Sequence, residues 1–279
     1  MKPEPGDKSI KVTRDDVANA LREVGVVEGD TAMFHSSLSS MGTVVGGPDA
    51  VIDGFLDAVG PTGTVAAPTL CNWTPEEQHL VFERWDPATT PSYVGALTEA
   101  FRKRPDAVRS DNATHSVAAI GARAVELTAN HGASGLRKGP FGPKAFAAES
   151  PWEKFRQWNA AYCFIGVTFW VNTMVHYVES VLAERAIERA PEQKREYLLS
   201  KIAGWMEPGI WATFRIEDRV IIEGMLAEMG IERQTQLGSA TLRCARAKPM
   251  VEEWIRIAEA DPERWMPDAY LEWLREAQA

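Results

Sequence analysis

Apolar residues recur at helical spacing in two stretches near the start of the chain. Thr13-Arg14-Asp15-Asp16 has the form of a capping box, and Val17, Leu21 and Val24 then share one face before Gly25 stops the helix. Pro48 stands at a favoured first helical position. Val51, Ile52, Phe55, Leu56 and Val59 follow as an apolar face, with Asp53 and Asp57 opposite. Residues 31–35 and 64–70 read as short buried strands, the second entered through the Pro61-Thr62-Gly63 turn. Further on, the pattern predicts helices over 92–103, 122–130, 174–190 and 217–229, and beyond Lys248. It predicts strands over 116–120, 162–168, 211–216 and 236–244. Pro191 closes the helix that begins at Met174. Strands alternating with helices throughout predict a layered α/β fold.

Two stretches break the pattern. Residues 71–91 hold Trp73, Pro75, Trp85, Pro87 and Pro91 without a clean period, and residues 132–143 are rich in glycine and proline. Long loops of this kind in compact folds are often functional. No repeat, low-complexity segment or linker divides the chain, so residues 1–279 are expected to form one domain. Residues 1–9 are then a polar tail, and 192–279 are the part least defined by pattern.

Composition narrows the classes. With 279 residues, 45% hydrophobic and 25% charged, the chain has ordinary globular make-up and ample length for a core. Thirty Lys and Arg against 39 Asp and Glu give a formal charge of -9, which disfavours nucleic acid as a partner. Three widely spaced cysteines, Cys71, Cys163 and Cys244, suggest no disulfide framework and favour a reducing compartment. The first residues lack the apolar stretch of a signal peptide. The longest apolar run, residues 160–171, is too short to cross ~30 Å of hydrocarbon as a helix. A cytoplasmic protein without a membrane partner, monomeric or homodimeric, is expected.

Three motifs can carry chemistry. The first is His35-Ser36-Ser37-Leu38-Ser39, followed by Gly46-Gly47-Pro48, between a strand and a helix. That is where ligands sit in α/β sheets, and a helix N-terminus with small hydroxylated residues suits phosphate oxygens. It matches neither the Walker loop nor the Rossmann fingerprint, and it also reads as a serine-rich turn capping the next helix. The second is Arg109-Ser110-Asp111-Asn112-Ala113-Thr114-His115-Ser116. Arg109 can fork onto a phosphate, or the segment is simply a polar loop. The third is His176-Tyr177-Val178-Glu179, whose ends share one helix face. A carboxylate beside an imidazole fixes its tautomer and raises its basicity, as a general base requires. Such pairs also occur as plain surface contacts.

Taken in order, these segments resemble the antibiotic N-acetyltransferases, the family of aminoglycoside 3-N-acetyltransferase. The resemblance runs through Gly29-Asp30, His35 to Ser39, Gly46-Gly47, Gly60 to Thr64 and Ala67-Pro68-Thr69. It continues through Phe82 to Pro91, Arg109-Ser110, His115-Ser116, Ser150-Pro151 and His176-x-x-Glu179, and covers residues 10 to 190 best. It implies an α/β/α sandwich distinct from the commoner acetyltransferase fold. It also implies acetyl-CoA-dependent transfer to an amino group of a small molecule such as an aminoglycoside, with no metal. By resemblance, His35, Ser36, Ser37, Leu38, Ser39, Arg109 and Ser110 would hold coenzyme A. His176 would be the base, Glu179 its orienter, and Thr69 a hydroxyl for the acyl oxygen. Asn72, Glu83 and Asp86 of the middle loop would meet the acceptor. Where the family usually has His-Pro, this chain has Asn112-Ala113. Two rivals stay open: a metal-dependent hydrolase built on His35, His115, His176 and Glu179, and a protein that binds coenzyme A or an antibiotic without turnover.

Overall fold

The computed structural model describes Pro3, residues 5–133 and residues 135–279. Met1, Lys2 and Glu4 of the expected tail, and Ser134 of the glycine-rich stretch, lie outside the described residues. The strands are β1 (Lys11–Val12), β2 (Thr31–Ser36), β3 (Thr43–Val44), β4 (Thr64–Pro68), β5 (Val108–Arg109), β6 (Val117–Gly121), β7 (Ala161–Ile165), β8 (Glu232–Leu237) and β9 (Ala240–Arg246). The first helices are α1 (Arg14–Glu23), α2 (Gly47–Val59), α3 (Val81–Arg84), α4 (Ala96–Arg102), α5 (Ala124–Thr128) and α6 (Pro151–Gln157). They are followed by α7 (Met174–Arg189), α8 (Glu192–Lys201), α9 (Ile216–Glu228), α10 (Ala247–Ala260), α11 (Pro262–Trp265) and α12 (Asp268–Gln278).

Seven strands form one sheet in the order β5-β6-β4-β2-β7-β9-β8, and β1 and β3 make a separate short parallel pair. The three central strands β4, β2 and β7 run parallel, and the outer ones are antiparallel to their neighbours. Strand alternation distributes the core between two layers. Ala32 and Phe34, Val65 and Ala67, and Cys163 and Ile165 face α1, α2 and α4. Met33, Ala66, Tyr162 and Phe164 face the other way, into a larger core built on α6, α7, α10 and α12. Helices on both faces of the sheet make the α/β/α sandwich the resemblance implied.

The capping box holds as expected: the Thr13 hydroxyl accepts from the Asp16 amide at 3.2 Å, and Asp16 accepts from the Thr13 amide at 2.8 Å. Two expectations need correction. Residues 211–216 are not a strand: 211–215 carry no regular secondary structure and lie outside the sheet, and α9 starts at Ile216. Their alternation comes from burying Ala212 and Phe214 in the larger core, not from a ladder. Residues 236–244 are not one strand but the turn of a hairpin, in which Leu237 pairs with Ala240 across Gly238-Ser239. Gly238 has φ +60°, and a Cβ there would meet the Met41 carbonyl at 2.2 Å, so only glycine turns the chain here. Beyond the described start, the chain is also held: the Gly6 amide donates to Ser39 O at 2.8 Å and the Asp7 amide to Ser239 Oγ at 2.9 Å.

Candidate functional site

The Asn172 side chain starts α7 by accepting from the Met174 amide at 2.9 Å, and so places His176 in the first helical turn. His176 Nδ1 lies 2.8 Å from Glu179 Oε2. Against an ionised carboxylate this contact requires Nδ1–H, which leaves the Nε2 lone pair free. The imidazole keeps 20% of its surface exposed, whereas Glu179 is fully buried. Glu179 is held from a second direction. Trp211 Nε1 donates to Oε2 at 2.9 Å and the Phe214 amide donates to Oε1 at 3.0 Å. Arg219 of α9 adds its field. Burial pulls its guanidinium below the usual range, and the Glu179 charge opposes that shift.

Around the imidazole stand Phe141 at 4.3 Å, His115 at 5.8 Å and Phe146 at 6.0 Å between ring centroids. Burial, and to a lesser degree the neighbouring His176 and His131, hold His115 well below the usual histidine range. Its place is set by Asn112, whose Oδ1 accepts from the His115 amide at 2.7 Å and the Thr114 amide at 3.2 Å. Asn112-Ala113 thus bends the chain by an Asx turn where the resembled family usually has His-Pro.

The rim of the site is aromatic. Trp205 packs edge-on against Trp73 at 5.3 Å and Phe82 at 5.1 Å, and a Cβ at Gly142 would touch Phe82. Lys138 and Glu207 meet at 3.5 Å. The two irregular stretches and residues 203–214 therefore converge beside His176.

A cleft of about 600 Å³ opens at the end of β2. It is lined by Ser36, Ser37, Leu38, Ser39, the start of α2 at Gly47, residues 94–97, and Val167 and Val171. A Cβ added at Gly47 or Gly95 would meet nothing within 4 Å, so both backbones face open space. Ser36 Oγ is buried and has no hydrogen-bond partner among the described residues.

Other residues expected at the site lie elsewhere. Alternation along β2 sends Ser36 to the cleft but turns His35 into the opposite layer. There its Nε2 meets Tyr162 OH at 3.0 Å, its ring stacks on Phe164, and burial lowers it to about 3. His35 is a core residue and does not line the cleft. Ser110 is fully buried, with its hydroxyl on the Val117 amide at 2.9 Å and His131 Nδ1 at 2.8 Å. Arg109 uses its guanidinium inward. Nε donates to Thr69 Oγ1 at 3.0 Å and Ser116 Oγ at 3.2 Å, Nη1 to Pro87 O and Thr90 O, and Nη2 to Thr69 O. The group also stacks over Trp85 at 4.5 Å. Burial lowers it to about 10. Neither Arg109 nor Ser110 reaches the serine-lined cleft. Thr69 is buried too, its hydroxyl engaged by Arg109 and Ser116.

In the middle loop, Asn72 lines a small cavity with Trp73, Glu77 and Arg84, and Glu83 is exposed on α3. Asp86 folds its own loop by accepting from Thr89 Oγ1 and the Ala88 amide, both at 2.8 Å. The rival metal set is not assembled: His35 sits on Tyr162, and among the described residues no three His, Cys, Asp or Glu side chains are placed to hold a metal ion. The indole of Trp211, the Phe214 amide and Phe141 escaped the sequence reading, as did the turn that Asn112 makes. Only the polar pair Asn112-Thr114 carried a usable signal, that of an Asx turn.

Comparison with known proteins places this arrangement. Residues 33–259 match the family model of aminoglycoside 3-N-acetyltransferase. Aminoglycoside N(3)-acetyltransferase VII of Streptomyces paromomycinus is 32% identical over 211 residues, 70% of this chain and 69% of that protein. Aminoglycoside N(3)-acetyltransferase IX of Micromonospora chalcea is 28% identical over 278 residues, 91% and 95% of the two chains. The crystal structure of aminoglycoside acetyltransferase AAC(3)-Xa superimposes with a TM-score of 0.68 at 30% identity, covering 89% of this chain and 93% of that one. AAC-IIIb in a binary complex with CoASH gives the same TM-score at 23% identity over 92% and 98%, a likeness of fold. The chain is an acyltransferase. It belongs to the aminoglycoside 3-N-acetyltransferase family.

Proposed function

We propose that the protein transfers the acetyl group of acetyl-CoA to an amino group of a small molecule, the 3-amino group of an aminoglycoside, with His176 as the base. One observation carries the assignment of roles. The partly exposed imidazole has its Nδ1 fixed by the fully buried Glu179, which leaves Nε2 free to accept a proton.

The serine-lined cleft suits the cosubstrate. Its lining is mainly apolar with hydroxyls at one end, the start of the 13-residue helix α2 offers backbone N–H groups to phosphate oxygens, and Gly47 and Gly95 leave room. Ser36, Ser37, Leu38 and Ser39 are assigned to it, whereas Arg109 and Ser110 do not reach it. When bound, acetyl-CoA supplies an activated thioester. An ammonium is not a nucleophile, so His176 Nε2 takes a proton from the acceptor amine as its nitrogen bonds to the acyl carbon. The carbon–sulfur bond breaks, and the proton passes to the thiolate that leaves. Asn72, Glu83 and Asp86 are assigned to the acceptor side through the loop they belong to. Trp73, Phe82 and Trp205 offer apolar faces to sugar rings. Among the described residues no helix is long and apolar enough to cross a membrane. We place the protein in the cytoplasm as one catalytic domain, monomeric or homodimeric.

Calorimetric titration with CoA, followed by thiol release from acetyl-CoA against a panel of aminoglycosides and simple amines, tests the assignment. Saturable CoA binding and release dependent on an aminoglycoside are expected. No CoA binding at millimolar concentration overturns it, and binding without turnover against any amine favours the sequestering rival.

A further inference from the structure

We infer that Trp211 is a positioning residue for the reaction, holding Glu179 through its indole N–H so that the carboxylate presents Oε2 to His176. The inference rests on the reading of His176 as base. Glu179 Oε2 accepts from both His176 Nδ1 and Trp211 Nε1, at 2.8 and 2.9 Å, while Oε1 accepts from the Phe214 amide. The last torsion of a glutamate is soft and broad, so an i,i+3 contact alone would leave the plane of the carboxylate free to turn. Three donors on two oxygens remove that freedom. Two of the three come from residues 211 and 214, in a segment with no sheet ladder to hold it.

The indole is itself backed by the site. A Cβ at Gly139 would stand 3.0 Å from Trp211 Cη2, so the indole lies against the backbone of the loop that carries Phe141. Phe141 in turn packs on the imidazole at 4.3 Å. One loop thus buttresses both the base and the residue that orients its partner.

Sharing Oε2 has a directional consequence. The indole N–H draws on the same oxygen that receives the imidazole N–H. Removing it leaves that oxygen a stronger acceptor for the imidazolium and favours the protonated form. The other charged or titratable groups facing the pair are His115, beside His176, and Arg219, which acts on Glu179. Neither is altered by a change at Trp211.

Trp211→Phe keeps the ring and removes the donor. The acid limb of the kcat/KM profile for acetyl transfer is expected to move to higher pH, and kcat to fall by about tenfold. CoA affinity should stay within about twofold, as expected for a residue outside the cleft. An acid limb and kcat unchanged from the wild type overturn the inference, as does activity lost only in proportion to melting temperature. If the variant does not fold, the wild-type indole resonance of Trp211 decides the matter. It should titrate with the midpoint of the acid limb, and a resonance blind to that midpoint counts against the assignment. A wild-type profile without any acid limb overturns the His176 reading and this one with it, whereas a normal limb unmoved in Trp211→Phe overturns only this one.

Discussion

His176 and Glu179 differ sharply in their surroundings, and so do the consequences of replacing them. His176 is partly exposed and its ring makes one polar contact, so His176→Ala should fold normally. It should lower kcat by ~10²–10⁴-fold, the usual range for a lost general base, with CoA affinity unchanged. The acid limb of its pH–rate profile should vanish. A folded His176→Ala protein with near-normal turnover would end the assignment. Glu179→Gln keeps an oxygen for the imidazole and indole donors, so it should reduce kcat less. It must then turn its NH₂ toward the Phe214 amide, leaving a buried donor unpaired at a cost of about 1–3 kcal/mol. A lower melting temperature should accompany the milder kinetic loss. The His-x-x-Glu pair was legible because helical spacing alone puts both ends on one face. Trp211 was not legible, because a residue 32 positions further on meets Glu179 only through tertiary packing.

At the scale of elements, the alternation of side chains decided more than motif membership did. His35 and Ser36 are neighbours in one motif, yet β2 sends them into different layers. The serines of this turn line the cleft, while the histidine beside them is buried in the opposite layer. Arg109 is the harder case, since a guanidinium beside a serine and an imidazole suits both a phosphate and a loop clasp. Its hydrogen bonds describe the clasp, tying the end of β4 at Thr69 to Pro87 and Thr90. Arg109→Lys keeps the charge but not the planar fork. Limited proteolysis should then cut within residues 85–91 faster than in the wild type, while CoA affinity changes less than about threefold. The opposite pattern, an intact loop with CoA binding weakened tenfold or more, would restore Arg109 as a direct phosphate ligand. Residues 211–216 show why a strand was expected. Burial of alternate residues against α7 and α10 produces the same period as a ladder. Spacing hid one contact altogether: Cys163 and Cys244, 81 positions apart, are register partners on β7 and β9 and remain free thiols.

For the whole molecule, buried titratable groups set the response to acid. Burial lowers His35 to about 3 and His131 to about 4, and places His115 well below the usual range. A group depressed on folding contributes stability above its unfolded value, and that stability is lost as pH falls. Below about pH 6.5 the unfolded chain binds protons at these three positions while the native protein does not. Two buried carboxyls work the other way. Burial, with the neighbouring Glu223, raises Glu232 to about 7, so between about 7 and 4.5 the native protein holds a proton that the unfolded chain releases. Glu223 is raised by its own burial and opposes the histidines in the lower part of that range. The Glu99 carboxyl, lowered to about 2 by Arg102, Lys103 and the Ser92 amide against its own desolvation, is silent until the pH falls below about 4.5. Three histidines against one or two carboxyls leave a net loss on acidification. Each unbalanced proton is worth about 1.4 kcal/mol per pH unit. Chemical denaturation between pH 7.5 and 5 should therefore show stability falling below about pH 6.5, by roughly 1.4–2.8 kcal/mol per unit. Glu232→Gln removes an opposing carboxyl and should steepen the fall by about one proton. Stability that is flat or rises toward pH 5 would mean that the buried histidines take up protons in the native state, against the apolar surroundings of His35 and His115.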